Sequence, residues 1–165
     1  MNLLEEFQAQ AIPVTWATIA MGLEGPGTAP PQIDPSDVRS WLETTLTRGG
    51  ELPGAVDVLV AINNDAEARR LISELAARHR EFPDPELRKW QSVMLERELA
   101  HLPQEPFYAA LALADFWSQF GDDPELPRPS GQELVSPLSE DDRRRLVDDQ
   151  RTWLAKNLET LASRP

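Results

Sequence analysis

The chain of 165 residues contains no cysteine. That excludes a disulfide framework, a thiol nucleophile and a cysteine metal site, and it suits a reducing compartment, so a cytoplasmic protein is expected. Histidine is nearly as scarce: only His79 and His101 occur, with no His-x-x-x-His pair to hold a metal. His79 reads as closing a buried stripe near a helix C-terminus, where the helix dipole favours its charged form, and His101 also reads as ending a helix. No apolar run approaches the roughly 20 residues that a membrane-spanning helix needs. The opening Met1-Asn2-Leu3-Leu4-Glu5-Glu6 lacks the basic start and long apolar stretch of a secretory leader. There is no G-x-S-x-G turn. Gly22, Gly25 and Gly27 cluster without the lysine or the preceding strand that a phosphate-binding loop requires. No catalytic residue, metal site or cofactor is therefore expected.

Basic residues are also in deficit. The formal net charge is −12, which repels nucleic acid phosphates and anionic lipid and disfavours both as partners. Residues 1–60 carry a net −6 and residues 102–138 a net −5, whereas residues 65–101 and 139–165 are nearly balanced. The densest acid, Asp122-Asp123-Pro124-Glu125, lacks the ligand spacing of an EF-hand loop. It reads as a solvated turn or as a docking face for a basic protein, together with Asp115 on the preceding helix.

The 15 prolines punctuate helices. Asp34-Pro35-Ser36-Asp37 reads as a cap, a first helical position and an acidic first turn, and Asp84-Pro85-Glu86 repeats the pattern. Ser139-Glu140-Asp141-Asp142 reads as a capping box closed by aspartate. Helical spacing then points inward Val38, Trp41, Leu42, Thr45 and Leu46. It does the same for the stripe of Ala68, Leu71, Ile72, Leu75, Ala76 and His79, on a helix that Asp65 would cap. A third helix, about 85–101, turns in Leu87, Trp90, Met94, Leu95, Leu99 and Leu102, and a last one, about 140–162, buries Val147, Leu154, Leu158 and Leu161. Residues 105–120 are apolar nearly all round, from Phe107 and Leu111 to Phe120, as in a central helix; Tyr108, Ala112, Asp115 and Gln119 form the one polar stripe. Val56–Ile62 alternates like a strand but has no partner strand, so a short buried helix is expected there. The expected fold is a single all-α domain over 1–165 with about seven helices, arranged as stacked helical hairpins of the HEAT type or as an irregular bundle. Its long loops fall near 23–34 and 121–138.

Three Arg-x-Trp triplets, at Arg39–Trp41, Arg88–Trp90 and Arg151–Trp153, belong to this helix grammar. Residues i and i+2 point to different sides of a helix, so each pairs a core tryptophan with an outward arginine and forms no joint site. The first two lie 49 residues apart, near the period of HEAT-type pairs.

Two blocks carry a family resemblance. "VTWATIAMGLEG" followed by "IDPSDVRSWLETTL", and later "LRKWQSVMLERELAHL" followed by "ALADFWSQFGDDPEL", resemble the bacterial family known as domain of unknown function 2247. The matching positions are Trp16, Gly22, Leu23, Lys89, Trp90, Asp115 and Phe116, within residues 13–128. The chain departs from the pattern at Trp117–Phe120, which prolongs the helix before the acidic turn. That family has no established catalytic activity, and the resemblance implies a small bacterial cytosolic protein, some relatives of which look like immunity proteins encoded beside secreted toxins. The function expected is thus a non-catalytic protein-binding module, an immunity protein in its sharpest form, with Asp115, Asp122, Asp123 and Glu125 on its binding face. The alternative is a small-ligand protein or enzyme with a pocket lined by Trp90, Phe116 and Trp117.

Overall fold

Asp34 opens a helix with a complete capping box in the computed structural model. Its Oδ1 accepts hydrogen bonds from the Ser36 and Asp37 amides at 2.7 and 3.0 Å, and Asp37 returns a carboxylate to the Asp34 amide at 3.0 Å. The Ser36 hydroxyl and the Asp37 amide hold the Asp34 carboxyl below the usual carboxylate range. Replacing Asp34 by alanine should cost about 1 kcal/mol in urea unfolding. A depressed carboxyl stabilises above its unfolded pKa and loses that contribution as pH falls through its folded one. The deficit should therefore shrink on acidification below about pH 4.

The structure describes residues 2–78, 83–135 and 137–162, without the side chains of 83 and 84. Among these residues there are eight helices and no strand: α1 (Leu3–Ala9), α2 (Trp16–Glu24), α3 (Pro35–Thr47), α4 (Ala55–Ala61), α5 (Asp65–Arg78), α6 (Pro83–His101), α7 (Pro106–Ser118) and α8 (Glu140–Ala162). The all-α expectation holds, with one helix more than the seven expected. The chain forms two compact units, one ending at Trp90 and the other beginning at Gln91. The division falls inside α6 and not at either long loop.

In the first unit α2 packs chiefly on α5, α4 also packs on α5, and α1 packs on α3. A helical-repeat stack would pair neighbours in sequence. Here α2 finds its main partner three helices on, so this unit is an irregular bundle. Its core gathers Leu4, Phe7, Ile19, Leu42, Val58, Ile72 and Trp90, all essentially without solvent exposure. The Phe7 ring stands edge-on to Trp90, with centroids 4.8 Å apart.

Several local expectations shift. Residues 55–61 are helical as expected, but only Ala55 and Val58 are buried, while Val56 and Val60 are 65% and 77% exposed. The alternation that looked like a strand thus divides between two sides of a surface helix, Val58 and Ile62 buried and Val56 and Val60 exposed. Helix α5 is capped by Asn64, whose Oδ1 accepts the Glu67 amide at 3.3 Å; Asp65 lies in the first turn and pairs with Arg69 at 3.0 Å. Ala68, Ile72, Leu75 and Ala76 are buried as expected, and Leu71 is half-buried. His79 lies outside the described residues, as does the Asp84 side chain. Helix α6 begins at Pro83, so Asp84 falls inside its first turn and does not precede it. The first two tryptophans of the Arg-x-Trp triplets are buried and Trp153 is half-buried.

In the second unit α7 packs on α8. Trp117 is buried, with Phe116 and Trp153 edge-on to it at 4.8 and 5.0 Å. The Ser139–Asp142 capping box is present, each amide meeting the other's side chain. Helix α8 turns Leu146, Gln150 and Leu161 inward, while Val147, Leu154 and Leu158 are only half-buried. The Gln150 amide explains the rotation: its Oε1 accepts Trp117 Nε1–H at 2.7 Å and its Nε2 donates to the Pro127 carbonyl at 2.6 Å. A buried amide is tolerated when both ends are matched.

Candidate functional site

The acidic residues singled out in the sequence all belong to the second unit. Asp115 is exposed on α7, and its backbone carbonyl accepts the Ser118 hydroxyl at 2.7 Å. Asp122 projects fully into solvent and reaches Arg128 at 3.5 Å. The Asp123 Oδ1 accepts the Glu125 amide at 2.9 Å, a local turn that fixes the direction of the peptide. Glu125 is exposed. Among the described residues no three metal-binding side chains converge.

These acids have apolar company, of which the sequence placed only Tyr108 on the stripe of Asp115. Helix α7 was expected to be central, yet Phe107, Tyr108 and Leu111 are 37%, 60% and 39% exposed. The Phe107 and Tyr108 rings meet edge to face at 5.7 Å. Helical spacing places Tyr108, Leu111, Asp115 and Ser118 on one side, and all four are exposed. The stripe runs from an aromatic end at the helix start to an acidic end, and the chain continues into the 122–125 turn. Glu105, which caps α7 through the Tyr108 amide at 2.9 Å, adds acid at the aromatic end. The alternation of Phe107, Tyr108 and Leu111 with buried Ala109 and Ala110 was the available signal: alanines on the inner side let the helix pack closely and leave the bulk outside.

The residues of the family resemblance behave differently. Five of the seven lie in the first unit, around α2 and the start of α6. Trp90 Nε1–H donates to the Thr18 carbonyl at 2.9 Å, and the indole covers the Cα of Gly22. Trp16 Nε1–H donates to the Pro53 carbonyl at 2.7 Å, and Leu23 is buried. Lys89 Nζ meets Glu86 Oε1 at 2.8 Å, and both side chains are about nine-tenths buried. The Thr18 hydroxyl donates to Glu86 Oε2 at 2.5 Å and the Thr15 hydroxyl to Oε1 at 3.3 Å. Asp115 and Phe116 lie in the second unit. Glu86 was read only as part of a helix start, although its i, i+3 spacing to Lys89 was visible; burial of an ion pair has no mark in a sequence.

Trp90, Phe116 and Trp117, the proposed pocket walls, are core residues with at most 5% exposure. Packed indole and phenyl rings serve as filler and leave no ligand surface at these positions.

A family model for an uncharacterised protein conserved in bacteria, DUF2247, matches residues 4–158, so the chain belongs to that family. No curated protein and no solved structure is matched by the chain. Among the described residues, no helix is long and apolar enough to cross a membrane.

Proposed function

We propose that the protein is a non-catalytic binding module for a basic protein partner, and in particular an immunity protein that neutralises a toxin. The observation that carries this reading is the exposed stripe of α7, aromatic at Phe107 and Tyr108 and acidic at Asp115, leading into the acidic turn. Interfaces derive affinity from a few buried aromatic anchors and derive encounter rate from complementary charge. The stripe offers both in one place: apolar side chains that gain by being covered, and carboxylates that steer a cationic surface. The net charge of −12 extends that steering beyond the contact itself. The partner's contact surface would present lysine or arginine around an apolar centre. Catalysis has no comparable support, since the acids of the stripe face open solvent and not a cleft.

Two measurements test this. Co-expression with a toxic protein encoded beside the gene should restore growth, and Tyr108→Ala with Leu111→Ala should abolish the protection while leaving the melting temperature unchanged. In stopped-flow association with that toxin, reversing Asp122, Asp123 and Glu125 to lysine should slow the on-rate about tenfold at low salt and flatten its salt dependence. Unaltered association kinetics in the reversed variant would remove the acidic turn from the interface.

A further inference from the structure

A cavity of about 440 Å³ opens in the first unit, lined by none of the residues of the proposed protein interface. Its walls come from α2, from the loop after it, from α5 and from the start of α6. Ala17 and Ala20 of α2 face Ala76 and Ala77 of α5, and the space exists because four adjacent wall positions carry only methyl groups. Arg69 of α5 donates to the Leu23 carbonyl at 3.0 Å and ties the last turn of α2 to α5. The volume lies in the range of pockets that hold small metabolites.

Among the described residues, the charged wall residues are both acids. Glu24 is exposed at the end of α2 and forms no ion pair among the described residues; Glu86 is buried. Lys89 and the Thr15 hydroxyl occupy Glu86 Oε1, whereas among the described residues Oε2 accepts only the Thr18 hydroxyl and keeps an acceptor position. Among the described residues, no basic side chain lines the cavity. We infer that this cavity is a binding site for a small organic ammonium ion, with the alkyl part against the alanines and the charged head toward Glu24 and Glu86. An anionic ligand would meet two carboxylates, of which only Glu86 has a paired cation, Lys89, among the described residues. A neutral one would leave the Glu86 acceptor and the Glu24 charge without use. Nothing in this site depends on the protein interface of the second unit.

The test uses butylammonium as the probe, with butanol and butyrate as matched controls, followed by two-dimensional amide NMR of the full chain. Butylammonium should move the amide signals of Ala17, Ala20, Ala76 and Ala77 at millimolar concentration, and butyrate should move none of them. Glu24→Gln, a change at an exposed position, should weaken binding about fivefold, the scale of one solvent-accessible charge interaction. Ala77→Phe, also at an exposed position, should fill the cavity and abolish the shifts while the helical circular dichroism stays intact. Equal responses to butylammonium, butanol and butyrate, or no response to any of them, would overturn the assignment, as would undiminished affinity in both variants.

Discussion

Replacing Glu86 with alanine is expected to lower the unfolding free energy by about 3–5 kcal/mol, the usual cost of leaving one member of a buried ion pair without its partner. The Lys89 ammonium would remain in a site about nine-tenths closed to water, and the Thr15 and Thr18 hydroxyls would lose their acceptor. For a chain of this length the melting temperature should fall by on the order of 10 °C. The pair is not expected to be the most stable solution for the site, because desolvation offsets much of its attraction. Glu86→Leu combined with Lys89→Met should therefore recover most of the loss, to within about 1 kcal/mol of the parent. The double-mutant cycle separates the two cases: a loss below about 1 kcal/mol in Glu86→Ala alone would mean that water reaches the pair in solution.

Gly22→Ala is expected to destabilise by about 2–3 kcal/mol, although alanine is the better helix former by about 1 kcal/mol. The added Cβ would stand 2.3 Å from Trp90 Cζ2, 2.8 Å from Cη2 and 2.9 Å from the Ile33 Cδ1. The indole has little room to retreat, since its N–H is bonded to the Thr18 carbonyl and Phe7 stands edge-on to it. A smaller ring at position 90 relieves the collision. Trp90→Phe should thus be less harmful in the Gly22→Ala background than in the native one, and chemical denaturation of the four variants reads the coupling directly. Simple additivity would show that α2 moves away at no cost.

Much of the fold was legible in the sequence because caps and periodicity are local. Asp34-Pro35 and Ser139–Asp142 function as read, and the inward stripes of α3 and α5 are largely those expected. The failures came where tertiary packing overrode pattern. Helix α6 buries Lys89, Trp90, Gln91, Ser92 and Val93 in succession, so its middle is closed all round despite its polar residues, whereas apolar α7 keeps an open side. A hydropathy pattern reports composition around a helix, and which sides are covered depends on neighbours distant in sequence. The candidate interface was half visible for the same reason: its acids stood out as charge and Tyr108 lay on the polar stripe, while Phe107 and Leu111 looked like core. The Glu86–Lys89 pair and the alanine-walled cavity required the chain to be folded before they existed as features. The match over residues 4–158 likewise extends beyond the 13–128 suggested by short motifs, since the helices outside those motifs contribute too.

The Gln150 amide has a consequence for recognition. By holding the Pro127 carbonyl at 2.6 Å, it tethers the loop that carries the acidic turn to the core of the second unit, only two residues beyond Glu125. Leu126, between them, is buried and anchors the same stretch. The carboxylates are therefore presented on a preorganised segment, and a partner docking there loses little loop entropy on binding. On the proposed reading, rigidity of this kind lengthens the lifetime of the complex, a contribution separate from the speed that charge confers.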